Sequence, residues 1–390
     1  MTDKQSPATI AVRAALESDT QHGAVVPPIH LTSTYAFSGF GEKGAYDYTR
    51  SGNPTRDALG AAIAALEGGA GAVVTSSGMA AVSLVAHLLK ADDLLLAPHD
   101  CYGGTYRLFS ALAKRGALKV EFVDQTDDEA LEKAFRLKPK LVWIETPSNP
   151  LLRIVDIAAM AERSRTAGAL LLVDNTFLSP GWQRPLALGA DLVLHSTTKY
   201  LNGHSDVVGG AVVARTPELQ EQLVWWANCI GVTGAPFDSY LTLRGVRTLY
   251  ARLRAHGENA AAVANLLAEH PAVAKVCYPG LSTHPQHDLA KRQQSGFGAM
   301  VSFELKGGTS HVCAFLKGLK CFSLAESLGG VESLIAHPAT MTHAAMDAEA
   351  RRRAGISDTL LRLSVGIEAK EDLIADVSAA LDRAAECRDR

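Results

Sequence analysis

Short, uninterrupted apolar runs recur through the middle of the chain, at Ala72–Val74, Leu94–Leu96, Val120–Val123, Leu141–Ile144, Leu170–Val173, Leu192–Leu194 and Ala211–Val213. Most are separated by stretches of helical character, such as Tyr106–Gly116. Brief apolar strands alternating with helices predict an α/β fold with a mostly parallel sheet covered by helices on both faces. In such sheets ligands bind beyond the carboxyl ends of the strands. Thr75-Ser76, Pro98-His99, Glu145-Thr146, Asp174 and His195-Ser196 all stand at those ends.

The rhythm changes beyond about residue 250. A helical stretch over Leu253–Glu269 ends near Pro271, two alternating strands follow at Ala299–Leu305 and Leu360–Val365, and an amphipathic helix starts near Glu371. This pattern predicts a smaller α+β domain. The first 60 or so residues are rich in turn formers (Val26-Pro27-Pro28-Ile29, Ser51-Gly52-Asn53-Pro54) and weak in periodicity, as in an extended arm. The expected division is an arm over residues 1–60 lying on a neighbouring subunit, a cofactor-binding domain over 61–250 and a C-terminal domain over 251–390. No internal repeat or low-complexity tract interrupts it.

Composition narrows the partners. Charged residues are 20% of the 390-residue chain, below the roughly 25% usual in soluble proteins, so subunit contacts are expected to cover part of the surface. A net charge of −3 leaves no basic footprint for nucleic acid. Arg351-Arg352-Arg353 reads as a solvated helix face. The amino-terminal residues lack the apolar stretch of a signal peptide, and no run approaches the roughly 18 apolar residues of a membrane span. Six cysteines without paired spacing fit a reducing compartment, with the cytoplasm the simplest home. Proline within His284-Pro285-Gln286-His287 spoils a helical ligand face, so no metal site is expected.

The chemistry centres on Lys199, in a segment running from Asp191 to Asp206, directly after the run Leu192–Leu194 and a cluster of hydroxyls. One βα unit upstream, Leu170–Val173 ends in Asp174. A lysine and an aspartate from neighbouring strand ends are what pyridoxal 5′-phosphate (PLP) requires: an amine to bond its aldehyde and an acid to keep its ring nitrogen protonated. Taken singly, each is more simply a surface lysine or a cap. Thr75–Ala81 runs from a strand into a helix through small residues, including Gly78 and Met79, whose backbone could hold a phosphate. A serine N-cap explains that loop alone; Ser196 and Thr198, just before the lysine, favour the phosphate. Tyr102 could stack on a ring and move protons through its hydroxyl, as a catalytic residue, or be a plain loop residue. Asp47-Tyr48-Thr49-Arg50 puts a phenol and a guanidinium on one side of an extended arm, suited to an anion or simply an exposed turn. In the late strand Arg362 opposes an apolar stripe, either as a carboxylate clamp or as a solvated edge residue.

These residues, with Gly52–Arg56, Pro147–Pro150, Trp225–Asn228, Phe237–Tyr240 and Ala325–Ser333, resemble the Cys/Met-metabolism family of PLP-dependent enzymes over nearly the whole chain. The resemblance implies the aspartate aminotransferase-like fold (fold type I) and a role for each position. Lys199 would bind PLP and carry protons, and Asp174 would pair with the ring nitrogen. Gly78, Met79, Ser196 and Thr198 would hold the phosphate, completed by Tyr48 and Arg50 of a neighbouring subunit, while Tyr102 would stack on the ring. Asn149, Ser327 and Arg362 would hold the substrate carboxylate. Asp47 and Glu326 match acids common in members that act at the γ-carbon, and Leu328 and Gly104 stand where β-lyases and methionine γ-lyases tend to differ. The implied reaction joins an O-acylhomoserine, O-succinylhomoserine first, to L-cysteine, giving L-cystathionine. Cleavage of cystathionine is the alternative, and a non-catalytic PLP-binding scaffold is the reading from another class. The implied assembly is a homotetramer built as a dimer of dimers.

Overall fold

The computed structural model describes residues 5–344 and 348–387. Seven strands form the first sheet: β1 (Gly71–Thr75), β2 (Leu94–Pro98), β3 (Lys119–Val123), β4 (Leu141–Glu145), β5 (Leu170–Asp174), β6 (Leu192–His195) and β7 (Gly210–Ala214). Their order is β1-β7-β6-β5-β4-β2-β3. All pairings are parallel except those of β7, which runs antiparallel to both β1 and β6. Each strand matches one apolar run of the sequence. The inner strands β4 and β7 are buried along their whole length, whereas edge strand β3 alternates and exposes Lys119 and Glu121; charge on an edge discourages pairing with other chains. Trp143 of β4 is fully buried and meets the Phe109 ring edge-on at 5.2 Å.

A second sheet contains β8 (Val273–Cys277), β9 (Met300–Leu305), β10 (Ser323–Leu324), β11 (Leu334–Ala336) and β12 (Leu360–Ser364), in the order β10-β11-β12-β9-β8. The helix Leu249–Glu269 packs on this sheet and on the terminal helix Lys370–Ala385. It begins before residue 250, so the expected domain boundary falls inside its first turn. β8, β10 and β11 are short or mixed in pattern and escaped the sequence reading.

The arm is only partly extended. Its helix Pro7–Val12 is capped by Ser6, and the helix Pro54–Glu67 starts within residues 1–60. Asn53 accepts from the Thr55 and Arg56 N–H groups, and Pro54 occupies the first helical position, a strong start signal. Gly68, at φ 80°, ends that helix in the left-handed conformation. Between the two helices the arm exposes Val25, Leu31, Phe37 and Phe40.

Arg352 is exposed on the helix Ala348–Ala354, and the side chain of Arg353 lies outside the described residues. The histidines of the 284–287 segment are bound locally: Nδ1 of His284 accepts from the Gln286 N–H, and Nδ1 of His287 lies 2.8 Å from the Pro279 carbonyl. Among the described residues no helix is long and apolar enough to cross a membrane.

Candidate active site

A cavity of about 430 Å³ opens at the carboxyl ends of β4, β5 and β6 and is closed on its far side by residues of the second sheet and its loops. Lys199 follows β6 by one tight turn, and its Nζ donates to Ser327 Oγ at 2.8 Å. Burial, then the positive charge of Arg362, lowers the Lys199 pKa to about 8, with Glu326 opposing. Ser327 itself adopts φ 93°, a conformation uncommon for a residue with a side chain and found most often where a site demands it.

Asp174 ends β5 and accepts from the Thr176 N–H at 3.0 Å. Burial raises its pKa, while the hydrogen bonds from Thr176 and the nearby His195 counter that rise. Behind it, His195 Nε2 lies 2.7 Å from Glu67 Oε1, both fully buried, and Asn175 Nδ2 donates to the same oxygen at 2.9 Å. The first sheet thus seats the acid on a buried polar network.

The phosphate-holding expectation concerns the turn from β1 into the helix Gly78–Ala86. Ser77 caps this helix by accepting from the Ala80 N–H at 3.0 Å. The Gly78 and Met79 N–H groups lie in its first turn, where the helix supplies no acceptor. A side chain on Gly78 would put a carbon 2.9 Å from Ser196 Cβ, so glycine is required for the two segments to approach. Thr198 lines the cavity while its hydroxyl bonds to the Gly209 backbone.

Tyr102 stands before the helix Gly103–Lys114 with its side chain half exposed. Gly104 gives its ring room: a Cβ there would meet Tyr102 Cε1 at 2.6 Å and Met79 Sδ at 2.8 Å. Arg362, on β12, is buried; its Nη1 donates to Asn149 Oδ1 at 2.8 Å and its Nη2 to the Ser327 carbonyl at 3.0 Å, while Nε has no hydrogen-bond partner among the described residues. The solvated-edge reading of Arg362 is therefore discarded. Burial lowers its pKa to about 10, but it remains a cation at neutral pH. Glu326 borders the same cavity.

Within one chain, Asp47, Tyr48 and Arg50 lie elsewhere. Tyr48 and Arg50 line a separate cavity of about 550 Å³ beside the arm, and Arg50 donates to the Asn228 carbonyl at 2.7 Å. Asp47 pairs with Lys43 at 2.8 Å, and hydrogen bonds from Lys43 and Ser51 lower its pKa to about 2. This is the placement needed if these residues serve the cavity of another subunit.

Three features make the Lys199 cavity suitable for PLP. An amine of reduced basicity faces it, a half-buried carboxyl with a single backbone donor stands at the β5 end, and the Gly78–Ser196 contact leaves first-turn N–H groups open. Sequence reasoning placed Glu145, which ends β4 opposite Asp174, at a ligand-binding strand end but gave it no role, and it missed the Glu67–His195 pair. Glu145 carried the same signal as Asp174, an acid closing an apolar run. The pair, distant in sequence, carried none.

The chain matches the family model for Cys/Met metabolism PLP-dependent enzymes over residues 8–382. It is 62% identical to cystathionine γ-synthase of Escherichia coli strain K12, with 97% of each chain covered. It is 50% identical to cystathionine γ-lyase of Dictyostelium discoideum, with 96% of this chain and 97% of that one covered. Among solved structures it resembles cystathionine γ-synthase of Xanthomonas oryzae pv. oryzae in complex with aminoacrylate and cysteine. That likeness has a TM-score of 0.97 and 64% identity, covering 98% of this chain and 99% of that one.

Proposed function

The chain belongs to the Cys/Met-metabolism family of PLP-dependent enzymes, and from that premise we propose a γ-replacement reaction. O-succinylhomoserine, or another O-acylhomoserine, and L-cysteine give L-cystathionine and the free carboxylic acid. One observation carries this reading: the amine of Lys199 and the buried Arg362–Asn149 clamp share a cavity, in a chain 62% identical to a cystathionine γ-synthase. The 50% identity to a γ-lyase supports a second reading, cleavage of cystathionine to cysteine, 2-oxobutyrate and ammonia. Fold and site residues alone do not separate the two.

When bound, PLP supplies an aldehyde that bonds an amine and a ring that accepts the electron pair released at carbon. Gly78, Met79, Ser196 and Thr198 hold its phosphate, with Tyr48 and Arg50 supplied by a neighbouring subunit. Asp174 keeps a proton on the ring nitrogen, and Tyr102 covers the ring. Arg362 and Asn149 take the substrate α-carboxylate, which fixes the α-carbon relative to Lys199 Nζ. An amine with a pKa of about 8 is neutral in a useful fraction of molecules near neutral pH, so Nζ can accept the α-proton and return it later. Ser327 holds Nζ through its hydroxyl. Glu326, and Asp47 of a neighbouring subunit, line the end where the leaving carboxylate departs and the cysteine thiolate attacks the γ-carbon.

A shared phosphate site requires at least a dimer, and a dimer of dimers follows from the family resemblance. The first sheet and its helices, near residues 61–250, are assigned the cofactor, and the second sheet with its loops, beyond the start of the helix Leu249–Glu269, the substrate side of the cavity. Unpaired cysteine spacing favours the cytoplasm. Mixed oligomers of Arg50→Ala and Lys199→Ala chains are expected to regain activity that neither parent has; inactive mixtures would exclude a site built from two chains. The reaction itself is tested by product analysis with O-succinylhomoserine plus cysteine, beside cystathionine alone. Rapid cystathionine formation with slow cleavage is expected, and fast release of cysteine and 2-oxobutyrate with poor synthesis would replace the reading by the lyase.

A further inference from the structure

Glu145 takes no part in the chemistry above, yet it is one of the few acids in the interior. It ends β4 and is 7% exposed, and it pairs in register with Asp174 at the end of β5. Paired residues of adjacent parallel strands share a face of the sheet about 4.8 Å apart, and both side chains line the cavity. Glu145 Oε2 accepts from the Tyr102 N–H at 2.9 Å, while Oε1 is buried and meets the hydrogen-bond geometry with no partner among the described residues.

Two carboxyls side by side, one buried and the other half-buried, do not both ionise readily. The surroundings divide the roles. From β6, His195 stands near Asp174 and favours its charge, as does the Thr176 N–H. Glu145 has one backbone donor and the Trp143 indole N–H, a neutral donor on its own strand, and the groups facing it from the β2–helix loop and β5 are Asp100, Cys101 and Asp174, none of them a cation. We propose that Glu145 is a protonated, uncharged acid that positions the Tyr102 loop and leaves Asp174 as the single anion at the ring-nitrogen end of the cavity. Burial, followed by the charge of Asp174, pushes the Glu145 pKa well above the ordinary carboxylic range, in accord with that assignment. An ionised Glu145 would instead set a second negative charge beside Asp174 and favour protonation of Asp174 itself.

This rests on the reading of the cavity as a PLP site, not on the choice of substrate. Infrared difference spectra of the PLP-loaded protein in light and heavy water, near neutral pH, test it directly. Wild type is expected to show a deuterium-sensitive carbonyl band of a protonated carboxylic acid that is missing in Glu145→Gln. Identical acid bands in both proteins, or loss of a carboxylate band instead, would overturn the proposal. If Glu145→Gln does not fold, Glu145→Asp keeps an acid on a shorter stem and should move the band in frequency; an unmoved band overturns it equally. Visible absorbance of the same samples reports bound cofactor, so failure of the PLP reading shows separately.

Discussion

Adding one methyl group at Gly78 should separate cofactor binding from folding. An alanine Cβ there would lie 2.9 Å from Ser196 Cβ, 3.0 Å from its Oγ and 3.3 Å from its Cα. Ordinary carbon contacts lie at about 3.5–4.0 Å, so one segment must move by roughly half an ångström or more. Ser196 cannot give way freely: its N–H donates to Thr176 Oγ1 at 2.9 Å, and it follows the buried strand β6. Overpacking of this kind costs about 1–3 kcal/mol. Replacing glycine by alanine returns at most about 1 kcal/mol of helix propensity, and less in a first turn. The displaced partner is the helix start whose N–H groups are proposed to hold the phosphate. Gly78→Ala is therefore expected to lower PLP affinity by about 10- to 100-fold while the cofactor-free protein still folds. Absorbance titration of the apoprotein measures the first effect and thermal unfolding the second. Wild-type affinity in the variant, or affinity lost only along with the fold, would refute the reasoning.

Acylation of Lys199 in the apoprotein, followed by mass spectrometry, should titrate near pH 8, the amine being protonated and unreactive below that value. Arg362→Met removes a neighbouring cation and should move the midpoint upward; a fall would contradict the electrostatic account. Because the folded-state pKa lies below the unfolded one, Lys199 favours folding increasingly as pH rises from about 8 toward 10.5. Glu67→Ala strips His195 and Asn175 of their shared acceptor in a fully buried site. Breaking such a pair costs about 3–5 kcal/mol, to be read from denaturant unfolding, and a loss under about 1 kcal/mol would show that the network relaxes.

The seven strands of the first sheet were legible because a buried strand is a continuous apolar run that must end at a polar residue. That pattern is the same for either strand direction, so nothing in Ala211–Val213 marked β7 as antiparallel. Lys199 and Asp174 stood out because a charged residue closing an apolar run has few structural reasons to be there. Glu145 closed its run in the same way but lacked a surrounding motif to single it out. Arg362 was ambiguous until β9 and β11 were seen on both sides of β12. The Glu67–His195 contact joins residues 128 positions apart, and side chains paired only by tertiary packing leave no periodic trace. The helix Pro54–Glu67 was announced by Asn53-Pro54 but masked by the turn formers before it.

The bonds that complete the cavity bear on how the protein matures during synthesis. Lys199 reaches Ser327 across 128 residues, and Asn149 reaches Arg362 across 213. A chain still emerging from the ribosome can build the first sheet, with its lysine and phosphate turn, before the clamp on β12 exists. Domains that appear first generally fold first, so the early product carries Lys199 and its strand-end acid yet has no Arg362 with which to orient an amino acid beside them. With Arg362 as the proposed carboxylate clamp, substrate competence arrives with the last strand, and a truncated or stalled chain lacks the grip that would direct reactive chemistry onto cellular amino acids.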